Sequence, residues 1–394
     1  MSSRGLFTSS VLASVVGAGF LVTLAVVGST PPVQAHPRIT TTLLWKKDIA
    51  PILQRRCFSC HSPNNVAFSL ASYAEARPWA VSIREEILTR HMPPWGAVAG
   101  YGRFQNDPSP TQGEWDLLVA WVDGGAPSGQ TLEEEQVPPV FAATAPTWER
   151  GEPDLAIEVA AASPVRAGAP YGVTPVEIVT PFTSERRVHG LAFKPGDRRV
   201  VRWASVYEAG SGRWLFTYTP WSTSMHLPEG VAYTLPAGAT LRVEVAYVGT
   251  EDDVSDVSEI GFYFEDAGEG EVATVKQFDA APLDLAPGAE PTRTRGELVL
   301  DEATAIHAVW PDLDAGTGSL ELTAYLPDGG VRPLLWLREY QHEWRSPYVY
   351  TDPVPLPRGT RLVMTAYAGN QGSVPAKVRP RLSVVRVPPR AATF

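Results

Sequence analysis

Two patterns of hydrophobic and polar residues divide this chain of 394 residues. Between residue 36 and about residue 130, apolar residues recur every three to four positions, which predicts short amphipathic helices. From about residue 156 onward, short stretches alternate between apolar and polar residues and are separated by Pro-Gly and Asp-Gly turns, which is typical of β-strands. The patterns therefore predict a multidomain chain in which a small all-α domain precedes all-β domains.

Three short helices are predicted in the first part. Asp48 is a candidate cap of the first helix, and Pro51 is tolerated in its first turn. The second helix begins near Pro78 and stops before Pro93, and the third covers residues 111–123. The residues that share an apolar face are Ile49, Ile52 and Leu53 on the first helix, Trp79, Ile83 and Ile87 on the second, and Trp115, Leu118 and Val122 on the third.

The β region is predicted to form two tandem, jelly-roll-like sandwiches. A linker at 131–155 combines acidic residues with prolines, and we place the first sandwich at 156–268 and the second at 269–389. The stretch 235–247 is similar to the stretch 356–367, which fits a duplicated domain. A common turn-into-strand pattern is the alternative explanation of this repeat.

Residues 1–35 are typical of an export signal. Arg4 precedes an apolar stretch at 6–28 that is rich in small residues, and Val33-Gln34-Ala35 is a small-x-small cleavage site. The apolar stretch is also long enough to remain as an uncleaved membrane anchor. We therefore expect a periplasmic or otherwise exported protein, with membrane association through the N-terminus if the anchor is retained.

Composition narrows the range of partners. The net charge of −10 argues against nucleic acid, whose phosphates attract basic proteins. It favours a basic or neutral redox protein, or a multisubunit electron-transfer complex, as the partner.

Cys57-Phe58-Ser59-Cys60-His61 is the strongest chemical signal in the chain. It contains the only two cysteines, and its C-x-x-C-H spacing is typical of covalent haem attachment. Two thiols at this spacing can each add to a haem vinyl group, while the adjacent imidazole supplies an axial ligand to iron. A redox disulfide and half of a zinc site are the alternatives, but neither a βαβ context nor a second ligand pair lies nearby. The motif predicts one covalent haem c, with His61 as a metal ligand.

Met92 is the predicted second axial ligand. It is the only methionine between residues 36 and 130, it follows a helix, and two prolines stiffen the loop after it. Thioether ligation stabilises ferrous iron and raises the reduction potential. His91 is the competing ligand, although a solvated imidazole at a helix C-terminus is the simpler expectation for it.

The remaining candidate neighbours of the haem edge or its propionates are Trp95, Tyr101 and Arg103. Packing or surface positions are the alternative for these three.

Residues 43–128 resemble the small c-type cytochromes that precede copper type II, ascorbate-dependent monooxygenase-like domains in bacterial proteins. The matching runs are the C-x-x-C-H motif, Ala76-Arg77-Pro78-Trp79, Arg90-His91-Met92-Pro93-Pro94-Trp95 and Ala120-Trp121-Val122-Asp123-Gly124-Gly125-Ala126-Pro127. That family commonly has lysine at the position of His91, which implies that Met92 is the ligand.

The β region resembles the paired sandwiches of the peptidylglycine- and dopamine-hydroxylating monooxygenase superfamily. The matching runs include Phe193-Lys194-Pro195-Gly196, Gly261-Phe262-Tyr263-Phe264, Tyr325-Leu326-Pro327-Asp328-Gly329 and the two similar stretches noted above. The copper ligands of that family are replaced here. Arg202-Trp203 stands in place of a His-His pair, Ala246 in place of the third histidine, and Asp312-Leu313-Asp314 in place of His-x-His. The methionine ligand has no counterpart.

Other candidate metal ligands are sparse. The remaining histidines of the β region are His189, His226, His307 and His342, and none is paired with another at a spacing of one or two residues. A copper site that changes oxidation state requires imidazole and thioether donors, so copper is not expected. Asp312 and Asp314 would share one face of a strand, but Ca²⁺ requires more oxygen ligands, and a solvated acidic edge is the alternative.

These features predict an exported, single-haem electron carrier rather than an enzyme. The degenerate monooxygenase-like region, a pseudoenzyme, would serve as a docking or structural scaffold. Two alternatives remain. One is an active copper monooxygenase that receives electrons from its own haem, and the other is a mainly structural subunit of a membrane-bound redox complex.

Overall fold

The computed structural model describes residues 39–129, 147–160, 164–265 and 270–389. The predicted export signal at 1–35 and the predicted linker up to residue 146 lie outside the described residues. Within the described ranges, none of the helices has both the length and the apolar character needed to cross a membrane. The described chain is mostly β-structure, with a few short helices near its start.

The helical segment begins at residue 45. Its elements are a π-helical turn Trp45–Ile49, α1 (Ala50–Arg56), α2 (Tyr73–Ala76), a 3₁₀ turn Arg77–Trp79, α3 (Ala80–Leu88) and α4 (Gln112–Asp123). The three predicted helices are present, and the short α2 was not predicted. Ile49, Ile52 and Leu53 are buried as expected. Asp48 is not the cap of α1: its carboxylate accepts a hydrogen bond from the Leu44 N–H at 2.9 Å and so stabilises the π-helical turn instead.

Helix α4 has a defined cap at each end. The Thr111 hydroxyl accepts a hydrogen bond from the Glu114 N–H, and the Glu114 carboxylate accepts one from the Thr111 N–H, which is a capping box. The helix ends at Gly124. Leu118 and Trp121 are its fully buried residues, so the buried face is centred nearer Trp121 than predicted.

Glu114 also connects α4 to α1. Its carboxylate oxygens lie 3.0 Å from guanidinium nitrogens of both Arg55 and Arg56, the last residues before the C-x-x-C-H motif. Burial tends to raise the pKa of Glu114, but the hydrogen bonds from Thr111 and Arg55 and the charge of Arg56 outweigh it and lower the pKa. The carboxylate form therefore stabilises the folded chain.

We expect Glu114→Gln to lower the free energy of unfolding by about 1–2 kcal/mol at pH 7, because hydrogen bonds to a charged group are lost. Since the folded-state pKa is depressed, the contribution is complete above the unfolded pKa and disappears as the pH falls through the folded value. Urea unfolding at pH 7 and at acidic pH measures both effects. Asp116→Asn, an exposed carboxylate on the same helix, is the control. Equal losses in the two variants would contradict the prediction.

The described residues form twenty strands. They are β1 (Leu155–Ala160), β2 (Gly172–Val179), β3 (Arg186–Lys194), β4 (Val201–Glu208), β5 (Arg213–Tyr218), β6 (Ser224–His226), β7 (Val231–Leu235), β8 (Thr240–Tyr247), β9 (Val257–Phe264), β10 (Glu271–Val272), β11 (Thr274–Asp279), β12 (Leu283–Leu285), β13 (Ala289–Val299), β14 (Thr304–Asp312), β15 (Thr317–Tyr325), β16 (Val331–Leu337), β17 (Tyr348–Leu356), β18 (Arg361–Asn370), β19 (Ala376–Val378) and β20 (Arg381–Val387). A 3₁₀ turn, His342–Trp344, precedes β17.

These strands form two β-sandwiches with the same topology. The first sandwich has sheets in the order β1-β9-β3-β7-β10, with β6 beside β3, and β2-β8-β4-β5. The second has the orders β11-β20-β14-β17 and β13-β18-β15-β16, and β12 pairs with β19. If the short β6, β10, β12 and β19 are set aside, the two orders coincide strand for strand. Eight strands in two four-stranded sheets of this order form a jelly roll.

The sequence repeat lies on equivalent strands of the two sandwiches. Strand β8 lies between β2 and β4, and β18 lies between β13 and β15. The sandwiches also share a core, in which the fully buried rings of Trp214 and Trp310 stack with their centroids 5.6 Å apart. The common topology supports duplication over the alternative of a common turn pattern.

The loop between α3 and α4 is bound to the second sandwich. The Tyr348 hydroxyl donates a hydrogen bond to the Trp95 carbonyl at 2.6 Å, and the Gln105 N–H donates to the Val349 carbonyl at 2.9 Å. The Phe104 ring lies 5.0 Å from the Tyr350 ring. The loop that follows Met92 is therefore fixed by β-strand residues.

Candidate cofactor site

Cys57, Cys60, His61 and Met92 line a single cavity of about 430 Å³, which we call the Cys57 cavity. The volume lies within the range of small-molecule and cofactor sites. The first three residues are neighbours in sequence, whereas Met92 approaches them through the fold. Much of the remaining wall is apolar and comes from Phe68, Leu70, Trp79, Ile83, Ile87 and several prolines. The apolar face predicted for the second helix therefore faces this cavity.

Both motif thiols are free and half-buried at the end of α1. Burial raises the pKa of Cys57 and of Cys60 to about 12. Thiols that react in redox enzymes have a lowered pKa, so the surroundings of this pair differ from those of a redox disulfide. No group of three or more potential metal-binding side chains, counting His, Cys, Asp and Glu, occurs among the described residues.

His61 is oriented for ligation by a hydrogen bond on one ring nitrogen. Its Nδ1 lies 3.0 Å from the Phe68 carbonyl oxygen, to which it donates as an N–H. Such a bond to a backbone carbonyl fixes the tautomer and leaves Nε2 unprotonated for a metal. Burial lowers the pKa of His61, which further favours the neutral ring. The Phe68 ring packs against His61, with centroids 4.8 Å apart, and stacks on Trp79.

Met92 and His91, the two candidates for the second ligand, have different surroundings in the structure. The Met92 N–H donates to the Glu86 carbonyl at 3.2 Å, which extends the end of α3 towards the cavity. The His91 side chain is 56% exposed, lies 3.5 Å from the Glu86 carboxylate and does not line the Cys57 cavity. Met92 therefore lines the same cavity as His61, whereas His91 does not.

Trp95, Tyr101 and Arg103 are not among the residues that line the Cys57 cavity. Trp95 is buried against Tyr348 and lines a neighbouring cavity, which shares Met92 and Pro93 with the Cys57 cavity. The Tyr101 ring packs on Trp336 with centroids 5.0 Å apart. The Arg103 carbonyl accepts a hydrogen bond from the Thr351 N–H. These contacts are those of packing residues, the alternative that the sequence left open.

Trp221 lines the Cys57 cavity although it belongs to the first sandwich, between β5 and β6. Pro108 and Pro110, which precede α4, line it as well. The sequence patterns did not indicate any of these three residues. No motif marks Trp221, which is far from the cysteines along the chain, and only the packing of the sandwich against the helical segment brings it there.

Ion pairs and aromatic contacts surround Trp203 and Asp312, two residues that stand where the resembling family carries copper ligands. The Arg345 guanidinium carbon lies 5.2 Å from the Trp203 ring centroid, and an Arg345 nitrogen lies 3.1 Å from the Asp312 carboxylate. Arg381 lies 3.6 Å from the same carboxylate. Ala246 is completely buried in β8. The Asp312 carboxylate is thus paired with two arginines.

Two histidines separated in sequence lie close together in the fold. The rings of His189 and His226 have centroids 5.3 Å apart, because β3 pairs with β6. His307 Nε2 lies 3.0 Å from the His226 carbonyl oxygen, to which it donates. Burial, and then the charge of His189, lower the pKa of His226 to about 4, so its ring is neutral at pH 7. Sequence spacing does not reveal this pair.

No protein-family model matches the sequence, and a search of curated proteins found no match. Among solved structures, the chain is similar to the major capsid protein P2 from bacteriophage PM2, with a TM-score of 0.25 and 14% identity over 60% of this chain and 99% of that chain. It is also similar to N-glycanase F (PNGase F), with a TM-score of 0.25 and 9% identity over 60% and 97%. A third is Sulfolobus turreted icosahedral virus, with a TM-score of 0.20 and 10% identity over 60% and 61%. These scores are too low to carry an argument about fold or function.

Proposed function

We propose that this protein is an exported c-type cytochrome that transfers single electrons through one covalently attached haem. The observation that carries the proposal is the convergence of Cys57, Cys60, His61 and Met92 on one cavity of about 430 Å³. Two thiols, an imidazole and a thioether are the donors that a haem c electron carrier requires. Because His61 and Met92 would both be available to hold the iron, the site is suited to electron transfer rather than to substrate turnover.

When bound, haem c supplies the one-electron iron couple. Cys57 and Cys60, at and just after the end of α1, would hold it through thioether bonds. His61 presents Nε2, since its Nδ1 is engaged by the Phe68 carbonyl. Met92 would supply a soft sulfur donor, which favours the reduced state. The largely apolar wall of the cavity would lower the local dielectric constant around the haem.

For the β region we propose a structural and docking role. The second sandwich holds the loop after Met92 through Tyr348 and Val349, and the first sandwich adds Trp221 to the cavity wall. The net charge of −10 favours a basic or neutral redox protein, or a multisubunit complex, as electron partner. The export signal would place the protein in the periplasm or at the membrane surface.

An active copper monooxygenase is the second candidate function. The observation in its favour is the His189–His226 pair, because neutral imidazoles are good copper ligands. Arg202 and Asp312 stand where the resembling family carries copper-binding histidines, and Asp312 is paired with Arg345, which counts against copper binding. The pair also lacks a third ligand within the described part of the chain.

Metal and haem analysis of the native protein tests both candidates. We expect one covalent haem per chain and no stoichiometric copper, with a visible spectrum that changes between the oxidised and reduced states. Two copper ions per chain would favour the monooxygenase. Protein isolated from a cell that attaches haem c, yet containing no porphyrin, would refute the proposal.

A further inference from the structure

We propose that the positive charge of Arg202, a residue of the first sandwich, raises the reduction potential of the haem site. This inference rests on the proposed function. It assigns the β region a direct effect on the cofactor, beyond a scaffolding role. The side chain belongs to strand β4.

Arg202 is bonded to the loop that follows the C-x-x-C-H motif. Its Nη1 donates to the Val66 carbonyl oxygen at 3.0 Å. That loop folds back on the motif, since the Asn65 amide donates to the Ser59 carbonyl at 2.9 Å and the Ala67 N–H donates to the Cys60 carbonyl at 3.2 Å. One hydrogen bond thus joins the sandwich to the backbone that surrounds the cysteines.

The guanidinium of Arg202 is a half-buried charge without a close counter-ion. No carboxylate lies within 4.0 Å of it in the described chain, and its Nε is buried without a hydrogen-bond partner. The charge of Glu343, on an exposed side chain, acts on it from farther away. A guanidinium remains protonated at every relevant pH, so this positive charge is permanent.

Aromatic packing fixes Arg202 relative to the cavity. Its guanidinium carbon lies 4.8 Å from the Trp344 ring centroid, and the Trp344 and Trp221 rings have centroids 5.9 Å apart. Trp221 in turn lines the Cys57 cavity.

Reduction adds one electron to the site, and a permanent positive charge in a poorly hydrated region stabilises the more negative state. Arg202 therefore favours the reduced form. Its hydrogen bond to Val66 contributes separately, since it holds the loop around the motif.

Redox titration of the full-length holoprotein separates these effects. We expect the neutral variants Arg202→Gln and Arg202→Met to shift the electron equilibrium about tenfold towards oxidation, which corresponds to about 59 mV for one electron. Arg202→Lys, which keeps the charge, is expected to retain most of the wild-type potential. Arg213→Gln is the matched control, because Arg213 is a half-buried arginine of the same sandwich that contacts Glu208 and the Thr234 carbonyl instead.

Potentials of both neutral variants equal to that of Arg213→Gln would overturn the inference. A lysine variant as low as the neutral ones would also overturn it, because the effect would then be structural. The two neutral replacements guard against one of them failing to fold, and methionine preserves an unbranched stem for packing on Trp344. Haem content tests the proposed function separately, because a wild-type protein without haem would refute that function. Unchanged potentials in haem-loaded variants would refute this inference alone.

Discussion

The double variant Cys57→Ser/Cys60→Ser is expected to contain no covalently attached haem, a fall from one per chain to none. Each thioether forms between a cysteine sulfur and a vinyl carbon of the haem, and the chain has no other cysteine that could replace these two. Both thiols line the Cys57 cavity, so serine fits there but cannot form the bond. Intact mass after denaturation, with haem stain on a denaturing gel, measures the loss.

Ser59→Ala is the matched control within the motif, since the Ser59 hydroxyl contacts the Cys60 sulfur at 4.0 Å without being required for attachment. It is expected to keep the haem. The single variants Cys57→Ser and Cys60→Ser are each expected to retain one thioether at most. Haem that remains attached in the double variant after denaturation would show that the motif is not the attachment site.

Local patterns predicted the parts of this fold that depend on neighbouring residues. The spacing of Ile49, Ile52 and Leu53 predicted one buried helix face, and all three residues are buried. The predicted helix over 111–123 agrees closely with α4. Alternation of apolar and polar residues likewise predicted strands, because it depends only on residues that are near one another in sequence. The repeat at 235–247 and 356–367 indicated duplication, which the shared strand order supports.

Local sequence patterns did not predict the contacts between residues that are far apart in the chain. Trp221 and Arg202 lie far in sequence from the motif and reach it only because the first sandwich packs against the helical segment. The proximity of His189 to His226 depends on the pairing of β3 with β6 and has no periodic signal. Trp95 contacts Tyr348 because its loop follows the second sandwich, which hydrophobicity alone does not indicate.

Met92→Ala is expected to lower the reduction potential by on the order of 0.1 V, part of the roughly 0.8 V that axial ligands span. Loss of the thioether removes the donor that stabilises ferrous iron, and alanine leaves space for exogenous ligands. Redox titration measures the change in potential, and disappearance of the far-red sulfur–iron absorption band reports the loss of the thioether. Binding of added imidazole shows that exogenous ligands can reach the iron.

His91→Ala is the control that distinguishes the two candidate ligands, because it removes the neighbouring donor while leaving the Cys57 cavity intact. The exposed His91 imidazole lies beside Glu86 and Glu339, so its loss is expected to change the potential and the far-red band little. The opposite result, a persistent sulfur–iron band in Met92→Ala with a large shift in His91→Ala, would assign the ligand to the imidazole. Since the Met92 N–H is held by the Glu86 carbonyl, a change of ligand would also require α3 to end differently.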